Sequence, residues 1–485
     1  MLGDSLLVSS STLFCQALAA ATSLLLRFAL SPAQMGVWQA LKLFLGYANY
    51  ANLGISKGAT RELSVALGRG DGASAYRGLN LAFTVNTLSS LVYAAALAAW
   101  GLSLAISSGR LWTNPWALGL LALAIFVVIQ RHVTFLITIL RCRQQFALTA
   151  RLSLIEALLT LALVGAATWL AGLNGLYGGT LAVLLASWFY LRQRGGCSLA
   201  WAWNFPEIRR LIGLGGPILL SGAAATLFQS LDKLMILASM SDREYQLGCY
   251  SLALLVGGQL FGFANMLSIV MGPRYSELFG RCGRRTEVAR LAARASELQA
   301  AALALPSGLA LVAVAPLLGR LLPDYRPGVA PAMWLIPGAV AMGLSLPANQ
   351  YLVAVYRERS VLASLLAACG LAALANHLAL TAGHGLVGVA LATSFAYLVY
   401  LVLMLAISLW PELSAPERRR YLGSLAVALI PTWSVALLVH LIWPAAGWRS
   451  SLLKALAVTA AWALTASYGW LHGGWKQAWR QGGRS

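Results

Sequence analysis

Three basic residues lie inside apolar segments of the first half of the chain, namely Arg27, Lys42 and Arg131. A charge is costly in such a segment and normally faces a water-filled cavity or a partner of opposite charge. Together these cations could bind an anionic group such as a phosphate. Two alternatives stay open: Arg27 and Lys42 could extend to the outer interface, and Arg131 could form an ion pair with Glu156.

The second half presents an acidic and a basic residue side by side, Asp232 and Lys233. Neighbouring side chains point in different directions on a helix, so these two face different surroundings. Asp232 could bind H⁺ or Na⁺, or it could pair with Arg27 or Lys42 and hold one conformation closed. The sequence shows no residues with the spacing of a metal site or of a catalytic site.

The composition defines the segments that must hold these residues. The 485 residues are 59% hydrophobic and 10% charged, and their mean hydropathy is +0.73. A soluble fold could not keep this much apolar surface from water. The sequence therefore predicts an all-α polytopic membrane protein with about 14 transmembrane helices, each near the 20 apolar residues that a membrane crossing needs. The predicted spans are 6–28, 36–56, 79–106, 116–139, 149–170, 175–191, 211–238, 246–271, 295–318, 329–354, 361–381, 385–409, 421–443 and 450–472.

Basic residues alternate along the connections between these spans. Most of the 35 Lys and Arg residues lie in or beside every second connection and in the C-terminal tail. The other connections hold Arg110, Arg243, Arg320, Arg326 and Arg449. Because basic loops resist translocation, both termini are predicted to be cytoplasmic. We expect a multi-pass membrane protein.

The connections also exclude several classes of function. The longest, near 57–78, 192–210 and 272–294, are too short for a soluble domain. We find no Walker A sequence and no HExxH motif, so the chain is predicted not to be an enzyme, and an ATP-driven pump within it is excluded. A membrane glycan polymerase would need a longer outward loop. The net charge of +20 is spread over short loops, which argues against nucleic acid binding and favours contact with anionic lipid.

A short pattern recurs in the two halves of the chain. Residues 34–38 read Gln-Met-Gly-Val-Trp after the first span, and residues 246–250 read Gln-Leu-Gly-Cys-Tyr after the seventh. In each half one helix then leads to a cytoplasmic loop with a Glu-Leu pair. The first and seventh helices run in the same direction, which indicates two parallel six-helix halves around a central site.

Several stretches resemble the bacterial polysaccharide and O-antigen flippases of the multidrug/oligosaccharidyl-lipid/polysaccharide exporter superfamily. The resemblance covers roughly residues 5–410. The similar stretches are Ser-Pro-Ala-Gln-Met-Gly at 31–36 after Arg27, Asn-Leu-Gly-Ile at 52–55, Arg-Gln-Gln-Phe at 143–146, Leu-Gly-Gly-Pro at 214–217 followed by Asp232, and Gly-Pro-Arg-Tyr-Ser-Glu-Leu at 272–278.

The resemblance implies a V-shaped pair of six-helix lobes, residues 1–195 and 211–410, joined by a cytoplasmic linker at 196–210. Residues 411–485 would add two transmembrane helices and a cytoplasmic tail. A total of fourteen helices is similar to the lipid II flippases of the same superfamily.

The resemblance implies movement of a polyprenyl-pyrophosphate-linked oligosaccharide from the cytoplasmic to the periplasmic leaflet of a bacterial inner membrane by alternating access. Arg27, Lys42 and Arg131 would bind the substrate, and Asp232, Glu156 and Lys233 would serve ion coupling or gating. No cofactor is expected beyond H⁺ or Na⁺. Expected partners are membrane lipids and a polysaccharide polymerase with its assembly proteins. The alternatives are a lipid II-type flippase, an exporter of drugs or other small molecules, and a membrane glycan polymerase.

Overall fold

The computed structural model describes residues 2–69, 72–109, 114–195, 199–442 and 448–472, and these fold almost entirely into helices. The described part of the chain contains no β-strand. The chain divides into two compact units, Met1–Ser230 and Leu231–Ser485. The predicted tail beyond residue 472 lies outside the described residues, and the predicted lobe boundaries stay a prediction.

The first unit holds eight described α-helices, which carry Arg27, Lys42, Arg131 and Glu156. They are α1 Leu2–Ala29, α2 Pro32–Tyr47, α3 Ile55–Arg69, α4 Gly72–Ser108, α5 Pro115–Cys142, α6 Phe146–Leu159, α7 Gly165–Arg194 and α8 Phe205–Phe228. A π-helical turn, Thr160–Val164, joins α6 to α7.

The second unit begins with the helix that carries Asp232 and Lys233. Its described α-helices are α9 Leu231–Ser239, α10 Arg243–Cys282, α11 Arg285–Ala313, α12 Gly319–Leu321, α13 Val329–Leu344, α14 Leu346–Ala354, α15 Glu358–Thr381, α16 Gly385–Ser408, α17 Ala415–Ile442 and α18 Trp448–His472.

Polar caps followed by proline fix where several helices begin. Ser31 caps α2: its hydroxyl accepts the Gln34 N–H at 3.4 Å, and Gln34 Oε1 accepts the Ser31 N–H at 3.2 Å. Asn114 and Asn204 cap α5 and α8 in a related way, each with proline at the first or second helical position. A side-chain oxygen satisfies N–H groups that the helix leaves unpaired, and proline lacks the N–H that would need a partner.

Eleven helical stretches among the described residues are long and apolar enough to cross a membrane. One of them, Phe146–Arg194, has 49 residues, or ~74 Å, more than twice the thickness of the hydrocarbon layer. It turns back at Gly172, whose φ is +56°. A Cβ on Gly175 would lie 1.8 Å from the Ala167 carbonyl oxygen, so the two arms touch beside the turn. This hairpin corresponds to the predicted spans 149–170 and 175–191.

Large apolar side chains lie open on the surface of both units. The exposed fractions are 81% for Ile106, 85% for Leu170 and 72% for Leu464. Large apolar side chains left this exposed suit contact with a membrane or a partner. Each predicted span has a helix at its place in the described residues, and the predicted all-α membrane fold is confirmed.

The second predicted span, 36–56, is shorter than expected because the chain breaks after α2. Leu53 and Gly54 have positive φ angles of 52° and 88°. The Asn52 Oδ1 atom accepts the Gly54 N–H at 3.2 Å, which offers the backbone an alternative to the helical bond. The chain then resumes as α3, where the sequence suggested a cytoplasmic connection.

The backbones of α3 and α8 touch where glycines remove the side chains. A Cβ on Gly58 would lie 2.2 Å from the Leu211 carbonyl oxygen, and a Cβ on Gly215 would lie 2.0 Å from the Gly54 carbonyl oxygen. Alanine at either site would therefore force the helices apart.

Polar contacts hold α8 on both sides of this crossing. The hydroxyls of Tyr47 and Ser230 are 2.5 Å apart, and Glu62 pairs with Arg210 at 2.9 Å. The helix α8 is thus attached to α2 and α3 along its length, within the first unit.

The last two helices, α17 and α18, pack against α11 of the second unit. The Trp433 indole N–H donates to Ser307 Oγ at 2.9 Å, and the Trp462 indole N–H donates to the Ala301 carbonyl oxygen at 2.8 Å. Indole donors that reach α11 from both helices fix the hairpin against it.

Candidate functional site

Arg27 lies near the end of α1 and is 3% exposed. Its Nη1 atom donates to the carbonyl oxygen and to the hydroxyl of Ser23, both at 2.6 Å. Ser23 precedes Arg27 by one turn of the same helix, so the sequence places these acceptors directly. Both oxygens are neutral, and they orient the guanidinium.

Lys42 lies on α2 and is exposed. Its Nζ atom lies 5.6 Å from the ring centroid of Trp38, one turn earlier, in a cation–π contact. Trp38 is buried, and its ring lies 6.2 Å from that of Tyr177. The buried aromatic pair therefore holds the ammonium group at the surface of the unit.

Arg131 is 5% exposed in the middle of α5. Its Nη2 atom donates to Asn86 Oδ1 on α4, and its Nε atom has no hydrogen-bond partner. Asn86 Oδ1 also accepts from Asn52 Nδ2 at 3.3 Å. Asn52 Nδ2 in addition donates to Ser56 Oγ at 2.6 Å. A buried chain of polar groups thus connects Arg131 to the break that follows α2.

Neither Asn52 nor Asn86 was identified as a site residue from the sequence. The available signal was an amide inside an apolar stretch, and Asn52 also stands in the Asn-Leu-Gly-Ile segment. An asparagine side chain is uncharged, so it is less conspicuous in an apolar segment than an arginine or an aspartate.

Glu156 lies half-buried on α6. Its carboxyl group lies beside the Ser187 hydroxyl of α7 and near Cys15 of α1. The ion pair with Arg131 that the sequence allowed is not formed among the described residues. Glu156 and Arg131 therefore occupy different environments within the first unit.

Asp232 is a buried acid of the second unit, with 3% exposure. Its Oδ2 atom accepts the Tyr250 hydroxyl at 2.9 Å, and its Oδ1 atom accepts the Lys233 backbone N–H at 2.8 Å. In the described part of this unit, no Lys, Arg or His side chain forms an ion pair with it. Lys233 is half-buried and meets Asp232 through its backbone N–H.

Two further buried polar residues adjoin the Asp232–Tyr250 pair. Thr393 of α16 lies beside the Tyr250 hydroxyl, and Asn376 Nδ2 of α15 lies 3.5 Å from Thr393 Oγ1. The Asn376 Oδ1 atom is buried and has no hydrogen-bond partner. Four oxygen-bearing side chains from four helices thus adjoin one another in the second unit.

No group of three or more His, Cys, Asp and Glu side chains that could hold a metal ion occurs among the described residues. The oxygens around Asp232 differ from such a group because most of them belong to hydroxyls and amides. These atoms are ligands suited to a hard cation and unsuited to zinc.

Among the solved structures that share this fold are three membrane transport proteins. The lipid II flippase MurJ in an inward closed conformation has a TM-score of 0.73 at 13% identity, covering 96% of this chain and 99% of that chain. An inward-facing multidrug resistance MATE family transporter of the MOP superfamily has a TM-score of 0.60 at 15% identity, covering 87% and 98%. A MOP superfamily transporter from Pyrococcus furiosus, whose binding pocket is described as having reverse polarity, has a TM-score of 0.57 at 13% identity, covering 87% and 96%.

At these identities the structures establish the fold and leave the substrate open. No curated protein matches the chain. The sequence profile of the family described as polysaccharide biosynthesis protein matches residues 24–322, which is more than half of the chain. The chain therefore belongs to the polysaccharide biosynthesis protein family.

Proposed function

We propose that the chain is a flippase that moves a polyprenyl-pyrophosphate-linked oligosaccharide from the cytoplasmic to the outer leaflet of a bacterial inner membrane. The observation that carries the proposal is the buried guanidinium of Arg131, which is held by a neutral amide and keeps an unpartnered Nε. Placing a cation there is costly unless an anion meets it during the working cycle.

The chemistry of the cargo explains why such a cation is needed. A diphosphate and a row of hydroxyls cannot enter hydrocarbon unaided, whereas the polyprenyl tail is soluble in it. The protein must supply a polar cationic path for the headgroup. Arg27, Arg131 and Lys42 are the residues proposed to bind it, the first two from buried positions and the third from an exposed one.

Asp232 is proposed as the site of the coupling ion. A buried carboxylate that receives hydrogen bonds from neutral donors, with no ion pair in its unit, is stabilised by binding H⁺ or Na⁺. The unpartnered Asn376 Oδ1 and the neighbouring Thr393 hydroxyl would complete an oxygen site for Na⁺. Glu156 and Lys233 are proposed as gating residues, since each is a half-buried charge without an ion pair among the described residues.

The proposed partners follow from the cargo. They are membrane lipids, the lipid-linked oligosaccharide itself, and a polysaccharide polymerase with its assembly proteins. The proposed orientation places both termini in the cytoplasm, as the distribution of basic residues indicates.

Export in a deletion strain tests the proposal. The strain is complemented with the wild-type chain, with Arg27→Ala, with Arg131→Ala, or with Arg143→Ala as the control, because Arg143 is only half-buried and contacts the Tyr76 ring. We expect Arg27→Ala to abolish surface polysaccharide, to accumulate the lipid-linked intermediate and to leave the protein in the membrane. Full export by Arg27→Ala and by Arg131→Ala would refute the cation argument.

A lipid II-type flippase is the second candidate, favoured by the 0.73 TM-score to MurJ over 96% of the chain, a span that includes α17 and α18. It predicts that depletion of the protein arrests cell-wall synthesis and lyses the cells. The oligosaccharide flippase predicts loss of a surface glycan with the wall intact. A drug exporter predicts increased drug sensitivity with both glycans unchanged.

A further inference from the structure

The segment between α7 and α8 presents three exposed aromatic side chains. The exposed fractions are 62% for Trp201, 65% for Trp203 and 65% for Phe205. Large aromatic side chains are rarely exposed to water so close together. Such a cluster indicates contact with a membrane or with another protein. We call residues 199–205 the aromatic segment.

Helix α4 holds the backbone of the aromatic segment in place. The Ala200 N–H donates to Asn80 Oδ1 at 3.1 Å, and the Ala202 N–H donates to Thr84 Oγ1 at 3.0 Å. Asn80 and Thr84 are one turn apart, and the two amides are two residues apart, as in an extended strand. Two hydrogen bonds therefore hold the backbone of the segment against α4.

An aromatic contact adds to this attachment. The Phe83 ring of α4 lies 5.7 Å from the Trp201 ring in an edge-to-face arrangement. One side of Trp201 thus rests on the first unit, while most of its surface stays open. Trp201 is thus packed against α4 on one edge and is free to contact another molecule with the rest of its ring.

Exposed arginines flank the aromatic segment in the sequence. Arg192 and Arg194 precede it at the end of α7, and Arg209 follows it in the first turns of α8. The Arg192 guanidinium lies 5.2 Å from the Trp188 ring centroid. Arginine beside exposed tryptophan suits the cytoplasmic membrane interface, where indole rings lie at headgroup level and cations meet anionic lipid.

We propose that the aromatic segment is an interfacial anchor seated in the cytoplasmic leaflet, with Trp201, Trp203 and Phe205 at headgroup depth and the flanking arginines on anionic phospholipid headgroups. Because the flanking residues are positively charged, we expect the segment to contact an anionic lipid surface. A protein partner is the competing occupant, and the test separates the two. This proposal does not depend on which lipid-linked cargo the chain carries.

Fluorine NMR of the full chain in lipid nanodiscs tests the location. The protein is labelled with fluorotryptophan, and the Trp201 and Trp203 resonances are assigned with Trp201→Phe and Trp203→Phe variants. A spin label on the lipid headgroup should broaden both resonances and spare the resonance of Trp38, which is buried in the same unit. Broadening by a water-soluble paramagnetic chelate, with no effect of the lipid label, would overturn the proposal and leave the surface for a protein.

Melting in nanodiscs of different charge tests the lipid. The wild-type midpoint should be several degrees higher in equal parts of phosphatidylglycerol and phosphatidylcholine than in phosphatidylcholine alone. Arg194→Gln combined with Arg209→Gln should lose most of this difference. Arg243→Gln is the control, because Arg243 is exposed in a predicted outer connection and pairs with Glu244. A difference that the double variant keeps in full would refute the lipid contact.

Discussion

A buried cation of the first unit and a buried acid of the second unit are stabilised in the same way. In the first unit the Arg131 guanidinium donates to the amide of Asn86, and in the second the Asp232 carboxylate accepts from the hydroxyl of Tyr250. Neither charge has an ion pair within its unit among the described residues. A neutral partner orients a charge and leaves it able to attract a ligand, whereas an ion pair would cancel it. The comparison suggests an anion site in one unit and a cation site in the other.

The largest effect should come from Arg131→Gln. Glutamine keeps an N–H donor for Asn86 Oδ1 and removes the charge, so the fold should persist while the cargo loses its contact. A hydrogen bond to a charged group contributes about 1.5–3 kcal/mol, so the transport rate should fall by about tenfold to a hundredfold. The rate is measured as headgroup translocation in proteoliposomes. Wild-type transport by a folded Arg131→Gln protein would refute the anion site proposed for the first unit.

Asp232→Asn should remove ion dependence while the protein stays folded. The amide oxygen can still accept the Tyr250 hydroxyl, but the group no longer titrates or neutralises a bound cation. Transport by this variant should be slow and indifferent to Na⁺ and to a pH gradient. Tyr250→Phe is the matched control, since it removes the hydrogen bond and keeps the carboxylate, and its ion dependence should survive. An ion response retained by Asp232→Asn would place the coupling site elsewhere.

Asn86→Asp turns the neutral contact of the first unit into an ion pair. The new carboxylate should hold the Arg131 guanidinium and compete with the cargo, so transport should fall severalfold while the melting temperature stays level or rises. Asn86→Ala is the control, because it leaves the guanidinium without this acceptor and should lower the melting temperature. Unchanged transport by Asn86→Asp would show that the charge of Arg131 is not sensed by the cargo.

The smallest effect is expected for Lys42→Gln. Lys42 is exposed and held over the Trp38 ring, and exposed charges interact weakly, by about 1 kcal/mol or less. Transport should fall by roughly twofold, and the fall should be smaller at high salt. A loss as large as that of Arg131→Gln would show that Lys42 faces a dry site.

The membrane fold followed from the sequence because long apolar runs and alternating basic loops are local signals. The break after α2 could not be predicted this way, since it depends on how the Asn52 side chain competes with the helical backbone bond. The hairpin at Gly172 was predicted as two spans, because Gly and Asn interrupt the apolar run there.

The candidate charges were recognisable in the sequence and their partners were not. Arg131 and Asp232 are recognisable because they are charged residues in apolar segments. Asn86 and Tyr250 are uncharged and lie at other positions in the chain, so nothing in the sequence marks them as partners. The choice between Asn86 and Glu156 as the partner of Arg131 was decided by how α4, α5 and α6 pack. Packing depends on side-chain shape along whole helices, which hydropathy does not encode.

Because the glycine contacts between α3 and α8 leave no room for a side chain, cutting the chain would not free α8 from its neighbours. The first unit extends to Ser230, so a protease that cleaves near residue 200, in the predicted cytoplasmic connection, would leave both fragments bound together within that unit. The chain passes from one unit to the next in the turn between α8 and α9, beyond the reach of water-soluble enzymes if it lies at membrane depth as expected. A nicked protein should therefore migrate as one particle in detergent and separate only on denaturation.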